Sequence, residues 1–405
     1  MNTWLLPDGI NESLPNDAER LEALRRHLVD LYSTWGYRLV MPPLVEYLES
    51  LRVGMGTQLD LQTFKITDQL NGRMMGIRAD MTPQVARIDA HHLSKGDVKA
   101  PVHRLCYIGT VLRTRSEQQG GSRSPVQVGA ELFGHEGVDS DYEIISLMLE
   151  TLYSIDVTDL VLDLGHVGVV NGLADHVNLD TEQREMYFDM LSRRSIPEID
   201  TWVNQQNFSA SDSEMLLTLP TLSGSIDIIE TAKSKLENAG DSVLAALDHL
   251  KSICDLLTEN QPNLVLNVDI AEMRGYAYHT GILYTVYMPG RGYFVAQGGR
   301  YNGIGKAFGN ARPAVGFSTD LRTLAELSLE TVSLVNSLSA NGILAPFWSS
   351  DSTNQELNRF ILNLRIQGEQ VIRQLEQESQ FTPEQQGCNR VIEKQGDDWI
   401  VVSAK

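Results

Sequence analysis

The segment VQVGAELFG, residues 126–134, places an amide and a carboxylate on one face of a predicted strand. Side chains alternate across a strand, so Gln127, Gly129 and Glu131 point to one side and the residues between them to the other. Gly129 has no side chain, and we expect a hollow above it. An amide and a carboxylate beside such a hollow can bind a small zwitterion. The alternative is that both polar groups lie on a solvated face.

Two other segments are expected to position groups beside this strand. The sequence predicts an antiparallel hairpin over residues 104–134. Its first strand is RLCYIGTVLRT, its second is VQVGAELFG, and a polar loop with two glycines joins them. Earlier in the chain, RADMTPQ predicts a helix that Thr82 caps, with Pro83 at its first position. Asp80 and Thr82 are therefore candidates for the same site, and the alternative is an ordinary capped helix without a ligand.

Length and composition indicate a globular chain without a membrane span. The 405 residues suffice for about two to three domains, with 42% hydrophobic and 21% charged residues. No apolar run is long enough to cross a bilayer, and MNTWLLPDGI lacks the pattern of a signal peptide, so we expect a cytoplasmic protein. The formal net charge of −20 argues against nucleic acid as a partner, because the backbone phosphates would be repelled.

The cysteines and histidines do not indicate a metal site. Cys106, Cys254 and Cys388 are far apart in the sequence, which favours neither a zinc knuckle nor a disulfide framework. The nine histidines show no HExxH-like grouping. We predict no metal and no disulfide.

The predicted hairpin resembles motif 2 of the class II aminoacyl-tRNA synthetases, in the version found in histidyl-tRNA synthetases. The resemblance implies that Gln127 and Glu131 hold histidine, and that Arg113 contacts the carboxyl end of the ligand and a phosphate of ATP. The next three residues, TRS, replace the His-Glu-Arg that is usual in the family. Groups that serve the nucleotide are thus missing, whereas the amino-acid half of the motif is retained.

Two further segments resemble the histidine-binding parts of that family. RADMT stands where the family has Arg-Pro-Glu-Gly-Thr, which implies that Asp80 and Thr82 meet the α-ammonium group. RGYAYHTG resembles the family's Arg-Gly-Leu-Asp-Tyr-Tyr-Thr-Gly signature. Arg274 then corresponds to the arginine at the ligand carboxylate and Tyr278 to the first tyrosine, while His279 replaces the second. The imidazole of His279 can still hydrogen-bond the ligand ring.

The segment PAVGFSTDLRTLAEL lies where motif 3 belongs, and it departs from the family at the adenine site. Thr323 occupies the position of the arginine that stacks on adenine. Arg322 precedes it, but one residue on a helix is a turn of roughly 100°. The glycines of residues 298–305 could suggest a phosphate cradle, but their spacing matches no nucleotide motif and favours tight turns and close packing. We therefore predict no cofactor and no catalytic residue.

The N-terminal helix and strand resemble class II motif 1, which implies a homodimer. Asn16 and Glu19 form a capping-box pattern at the start of a predicted helix, and leucines mark one face of that helix. Gly36 is expected to end it. A strand is predicted next, over residues 37–41, and prolines follow at 42 and 43. An ordinary amphipathic helix that packs on its own core explains the leucine pattern equally well.

The expected fold is α+β, with a class II synthetase-like antiparallel sheet flanked by helices. Its core is expected over residues 1–174 and 261–330, with a helical insertion over 175–260. A small C-terminal α/β cap over residues 340–405 would replace the anticodon-binding domain, with a helix predicted at 355–375.

Several segments together resemble one group of synthetase paralogues, the regulatory subunits of ATP phosphoribosyltransferase: LPDGI, WGYRLVMPPLVEY, IRADMTPQVARIDAH and VQVGAELFGHEG. The resemblance implies no aminoacylation, and pairing with a short-form catalytic subunit that performs the first step of histidine biosynthesis. It implies activation of that subunit, feedback inhibition by L-histidine, and a homodimer of this chain within a hetero-octamer without tRNA. The alternatives are an active histidyl-tRNA synthetase and a stand-alone histidine sensor.

Overall fold

The chain forms two compact units, Met1–Glu12 with Leu24–Leu327 and Ser13–Ala23 with Ser328–Lys405. The computed structural model describes residues 5–52, 57–95, 97, 99–116, 121–273, 279–303, 312–328, 342–347, 353–375 and 381–404. No helix within these residues is both long and apolar enough to cross a membrane.

The first unit is built around a large sheet whose strands are rich in β-branched and aromatic residues, as the sequence predicts. Its strands, together with those of a small separate sheet, are β1 (Arg38–Leu39), β2 (Val45–Tyr47), β3 (Phe64–Thr67), β4 (Met74–Ile77), β5 (His103–Thr110), β6 (Val126–Phe133), β7 (Val161–His166), β8 (Ser223–Gly224), β9 (Val265–Asp269), β10 (Ile282–Tyr287), β11 (Phe294–Arg300) and β12 (Ala314–Asp320). Nine of them pair in the order β1-β5-β6-β12-β11-β10-β7-β9-β8, and β2-β4-β3 form the small sheet. The large sheet is antiparallel except where β1 pairs with β5 and β7 with β9.

Helices of this unit flank the large sheet and also fill most of the segment from residue 181 to residue 260. They are α1 (Pro15–Thr34), α2 (Leu48–Arg52), α3 (Thr57–Gln62), α4 (Thr82–Ile88), α5 (Val138–Tyr153), α6 (Val167–His176), α7 (Thr181–Ser192), α8 (Ile196–Gln205), α9 (Ala210–Thr218), α10 (Ile228–Lys235), α11 (Asp241–Asn260) and α12 (Leu321–Leu327), with a π-helical turn at Asp89–Leu93. Of α1, only the part from Leu24 onward belongs to this unit, and its earlier residues belong to the second unit. Helix α5 packs on β6, β11 and β12, and α11 packs on α5 and α6. The α+β fold predicted from the sequence is confirmed.

The second unit is a small α/β body. Its elements are β13 (Gly342–Ala345), α13 (Thr353–Ile366), β14 (Val371–Arg373), β15 (Cys388–Gln395) and β16 (Asp398–Ser403). The four strands pair in the order β14-β13-β15-β16, and only β15 and β16 form an antiparallel hairpin. A core that includes Ile343, Leu357 and Ile392 joins the helix to the sheet.

Three local predictions about helix ends were wrong. Helix α1 begins at Pro15, so Asn16 lies inside its first turn. Helix α4 begins at Thr82 itself, with Met81 at the capping position, because the Thr82 hydroxyl hydrogen-bonds the Tyr107 hydroxyl instead of the backbone. Helix α13 ends at Ile366 and not at residue 375. Gly368 follows with φ of +87°, and the β-branched residues after it pair with β13 as β14.

The predicted hairpin is confirmed as β5 and β6, and its register defines the face that carries the candidate site. Tyr107 lies opposite Gly129, and on the other side of β6 Glu131 lies opposite Gly316 of β12. Gly316 in turn lies opposite Gly299 of β11. Directly opposed residues of antiparallel strands point to the same face. One face of the sheet therefore carries Glu131 together with three glycines, and we call it the glycine face.

Candidate functional site

Glu131 is buried at the centre of the glycine face, where two tyrosines hold its carboxylate. Glu131 is only 1% exposed. The Tyr107 hydroxyl donates to Oε1 at 3.0 Å and the Tyr301 hydroxyl donates to Oε2 at 2.5 Å. Burial raises the pKa of Glu131 to about 8, although the tyrosine hydroxyls favour its ionised form. The carboxyl group therefore titrates close to neutral pH.

Gln127, Asp80 and Thr82 form a second part of the site, beside Glu131. Gln127 Nε2 donates to Asp80 Oδ1 at 2.7 Å, and Gln127 Oε1 accepts from the Met81 backbone nitrogen at 2.9 Å. Asp80 Oδ1 also accepts from the Thr82 backbone nitrogen at 3.0 Å. The Thr82 hydroxyl lies 3.0 Å from the Tyr107 hydroxyl, which reaches Glu131. One continuous network thus unites four of the predicted site residues.

The glycines of this face provide the space that the polar side chains occupy. A Cβ atom built on Gly316 would overlap the Glu131 carboxylate, and one built on Gly129 would overlap the Tyr107 hydroxyl. The prediction of a hollow above Gly129 was therefore wrong, because the tyrosine of the neighbouring strand fills it. Gln127 and Glu131 are 4% and 1% exposed, so the solvated-face alternative is also excluded.

His279 lies over the same face. A Cβ atom built on Gly299 would lie 2.6 Å from His279 Cδ2 and 2.9 Å from Nε2. Because Gly299 is directly opposite Gly316, the imidazole and the Glu131 carboxylate occupy neighbouring positions, at the cross-strand spacing of about 5 Å. Arg274 and Tyr278, predicted to belong to this site, lie outside the described residues.

Arg113 lies in an open cleft next to Gln127. Its Nε donates to the Ala79 carbonyl at 3.1 Å, which ties it to the segment that carries Asp80. The space within the cleft that a water molecule can occupy is about 130 Å³. Hydroxyl and amide side chains dominate its lining: Arg113, Ser116, Gly121, Ser122, Pro125, Gln127, Phe294, Val295, Gln297, Ser318, Thr319, Asp320 and Thr323.

The end of β12 and the start of α12 place Thr323 in this cleft and direct Arg322 elsewhere. Thr323 Oγ1 donates to Asp320 Oδ2 at 3.4 Å. The Arg322 guanidinium donates to the Asn11 carbonyl at 3.4 Å, outside the cleft lining. Burial raises the pKa of Asp320, while backbone donors oppose the shift. The cleft thus presents a hydroxyl and a carboxyl group at the start of α12.

Two family models match separate parts of the chain. A model described as histidyl-tRNA synthetase matches residues 9–324. A model described as the ATP phosphoribosyltransferase subunit HisZ C-terminal domain matches residues 340–402. The synthetase model thus covers the glycine face and the cleft, and the second model covers the small α/β body.

Relatives similar over the full length decide between these families. An ATP phosphoribosyltransferase regulatory subunit from Thioalkalivibrio sulfidiphilus is 49% identical over 99% of this chain and 98% of its own. A regulatory subunit of the same description from Nitrosococcus oceani is 44% identical over 99% of this chain and 97% of its own length. The chain belongs to the family of ATP phosphoribosyltransferase regulatory subunits.

The fold of this regulatory-subunit family member is similar to that of a solved structure from Bacillus halodurans. That protein is described as an ATP phosphoribosyltransferase regulatory subunit/histidyl-tRNA synthetase. The two superpose with a TM-score of 0.80 at 24% identity, covering 94% of this chain and 95% of the other. The class II synthetase-like fold predicted from the sequence is therefore confirmed.

Sequence reasoning missed two polar side chains of the candidate site in this regulatory-subunit family member, Tyr107 and Tyr301. A signal for Tyr107 was present, because the hairpin register places it opposite Gly129, and an aromatic ring across from a glycine packs over it. Tyr301 follows β11 and reaches Glu131 from a strand two places away in the sheet. No local pattern indicates that approach.

Proposed function

We propose that this chain is the non-catalytic regulatory subunit of ATP phosphoribosyltransferase, which carries out the first step of L-histidine biosynthesis. In this proposal the chain activates a short-form catalytic subunit and carries feedback inhibition by histidine bound on the glycine face. The observation that carries the proposal is an asymmetry of the site. The network from Gln127 to Glu131 is assembled. Thr323, which the motif 3 resemblance aligns with the adenine-stacking arginine, hydrogen-bonds Asp320 instead.

Glu131 and His279 are proposed to bind the imidazole of histidine. Both lie over neighbouring glycines of one sheet face, so a planar ring can contact both. Glu131 with a pKa of about 8 can accept from an imidazole N–H when ionised and donate to an imidazole nitrogen when protonated. In the present structure both carboxylate oxygens accept from tyrosines, so a ring that enters must share or displace one of those hydrogen bonds.

Asp80 and Thr82 are proposed to bind the α-ammonium group, and Gln127, Arg274 and Arg113 the carboxylate. Both hydrogen bonds that the described residues make to Asp80 use Oδ1, so Oδ2 can accept from an ammonium group. The Gln127 amide nitrogen carries two N–H donors, of which one serves Asp80. The second can donate to a ligand carboxylate.

Feedback inhibition requires that the complex have two states that bind histidine unequally. A coupling free energy of about 1–3 kcal/mol between the histidine site and the catalytic subunit changes activity about 5- to 150-fold. A site that binds the amino acid without a nucleotide is sufficient for this role, because sensing needs no adenylate.

A homodimer through the N-terminal part of the first unit is also proposed. Edge strand β1, the loop that follows it, and the small sheet with its β3–β4 turn carry several large apolar side chains that are exposed in the single chain, notably Leu70 of that turn, which is 96% exposed. Others are Leu39, Met41, Leu44, Ile66 and Met74. Such a concentration of exposed apolar side chains favours a protein interface.

The decisive experiment mixes the purified chain with a short-form ATP phosphoribosyltransferase catalytic subunit and measures turnover with and without histidine. We expect the chain to raise turnover and histidine to lower it again. Glu131→Ala should retain activation and lose histidine inhibition, because it removes the imidazole partner and leaves the rest of the surface unchanged. Absence of activation by the folded chain would refute the proposal.

A companion assay tests the synthetase alternative. ATP–pyrophosphate exchange in the presence of histidine reports formation of histidyl-adenylate. We expect none, because the cleft beside Gln127 presents Thr323 and Asp320 where the adenine-stacking cation would lie. Exchange above the background of a no-enzyme control would establish a working synthetase instead.

A further inference from the structure

A fully buried carboxylate on the opposite face of the sheet joins the candidate site to helix α11. Asp141, in the first turn of α5, is 0% exposed. Arg300 of β11 donates from Nε to Asp141 Oδ1 at 3.0 Å, and its Nη2 lies 2.8 Å from the same oxygen. His249 of α11 lies with Nε2 3.1 Å from Asp141 Oδ2. One carboxylate thus holds a side chain from the sheet and a side chain from the helix.

Arg300 lies between two residues of the glycine-face site. Gly299, which precedes it, lies under the His279 ring, and Tyr301, which follows it, donates to Glu131. The Arg300 carbonyl accepts from the Thr280 backbone nitrogen at 2.8 Å, next to His279. The Arg300 backbone is therefore connected directly to Tyr301 and, through this hydrogen bond, to the segment that carries His279.

The position of Arg300 depends on Asp141 because little else in its surroundings carries charge. A buried guanidinium requires an anionic partner. Its other hydrogen bonds go to neutral acceptors: the Ser140 hydroxyl at 2.8 Å, the His135 carbonyl at 3.1 Å, the Asn302 side-chain oxygen at 3.4 Å and the Gly137 carbonyl at 3.5 Å. His166, whose ring lies 5.3 Å from that of His249, is neutral at pH 7, since burial lowers its pKa to about 4. Asp141 and Arg300 are thus a matched pair, and His249 fixes the second carboxylate oxygen.

We propose that Asp141 and Arg300 are positioning residues for the histidine pocket, and that His249 sets their geometry from α11. Helix α11 then controls how well Tyr301 and His279 are placed for the ligand, which makes the helical segment a part of the sensor. This inference rests on the proposed histidine site. It assigns a role to a cluster that does not touch the ligand.

The test uses His249 because loss of Asp141 would leave Arg300 buried without a counterion and could unfold the chain. His249→Ala removes the contact with Asp141 Oδ2, and His249→Gln supplies an N–H donor of similar reach. The matched control is His176→Ala. His176 pairs with Asp212 at 3.5 Å, also between helices, and neither residue contacts β11 or α5 through a hydrogen bond within the described residues.

Calorimetry with L-histidine on the full-length chain should show affinity about fivefold weaker for His249→Ala, restored to within about twofold by His249→Gln, and unchanged for His176→Ala. The thermal midpoint of each variant identifies a general loss of stability. Unchanged affinity in His249→Ala, or equal losses in His249→Ala and His176→Ala, would overturn the proposal.

Hydrogen–deuterium exchange of the ligand-free chain tests the positioning role of this cluster even if histidine does not bind. The Thr280 and Tyr301 amides, bonded to the Arg300 and Ala314 carbonyls, should exchange faster in His249→Ala and at the wild-type rate in His176→Ala. Wild-type exchange in His249→Ala would refute the positioning role. A wild-type chain that binds no histidine would refute the proposed function separately.

Discussion

Gln127 and Asp80 are 47 residues apart in the chain and are joined by a 2.7 Å hydrogen bond from the amide nitrogen to the carboxylate. The same carboxylate oxygen accepts from the Thr82 backbone nitrogen, so Asp80 links the strand of the hairpin to the first turn of α4. This link fixes the Gln127 amide and the Asp80 carboxylate relative to each other before a ligand arrives. The two groups are proposed to bind the carboxylate and the ammonium group of an amino acid. Such preorganisation lowers the entropic cost of binding.

Asp80→Ala should weaken histidine binding by about 10- to 100-fold, because it removes the proposed ammonium partner and releases two donors that it now orients. The matched control is Asp97→Ala. Asp97 Oδ1 also accepts from the backbone nitrogen two residues later, at 2.9 Å, but it lies on the surface. Calorimetry should give wild-type affinity for the control. Equal affinities for the two variants would exclude Asp80 from the site.

Gly316→Ala should destabilise the chain by about 1–3 kcal/mol and abolish histidine binding, because the new methyl group would overlap the Glu131 carboxylate. Gly303→Ala is the control, since a Cβ atom there meets nothing within 4 Å. Chemical denaturation and calorimetry check the two parts of the prediction. A Gly316→Ala chain that binds histidine normally would show that Glu131 is not at the binding surface.

Alternation along a single strand predicted the faces of β6 correctly. Gln127 and Glu131 lie on one face because a strand has a period of two residues, which requires no knowledge of its neighbours. The filling of the space above Gly129 depends instead on the register with β5, and the approach of Tyr301 depends on β11 and β12 lying beside β6. These contacts are tertiary, so the sequence pattern of one element does not specify them.

The errors at helix ends have the same origin. Thr82 is a favourable capping residue by type, but its hydroxyl bonds to Tyr107 of a distant strand. The polar stretch after Gly368 continues a helical pattern by composition, yet Val371 and Ile372 gain strand partners in β13. In both cases a contact formed in the folded chain outweighs a local preference of a few tenths of a kcal/mol to about 1 kcal/mol.

Asp89→Asn should lower the free energy of unfolding by about 3–5 kcal/mol, because it leaves Arg312 buried without its counterion. Arg312 Nη1 donates to Asp89 Oδ1 at 3.0 Å, and both side chains are almost completely buried. Glu49→Gln, which removes the partner of Arg73 in an exposed ion pair, should change stability far less. Urea denaturation of the two variants compares them directly, and equal losses would contradict the argument.

Glu131 should make the stability of the chain depend on pH between about 5 and 8. Its pKa is raised by burial from an ordinary value of 4.5 to about 8, so at pH 7 the folded chain holds a proton that the unfolded chain releases. The folded state binds more protons, and the free energy of unfolding therefore falls as pH rises through this range. Each unit of difference in pKa corresponds to about 1.4 kcal/mol, so the effect is large enough to measure.

Glu131→Gln isolates this contribution, because the amide keeps the shape and an acceptor oxygen for the tyrosine hydroxyls but does not titrate. We expect the thermal midpoint of the wild-type chain, relative to Glu131→Gln, to decrease from pH 5 to pH 8 and to level off above pH 8. All other titrating groups are common to both chains and cancel in the difference. Parallel midpoints across this range would mean that Glu131 is ionised throughout, and that histidine meets a permanent carboxylate rather than a group near its titration point.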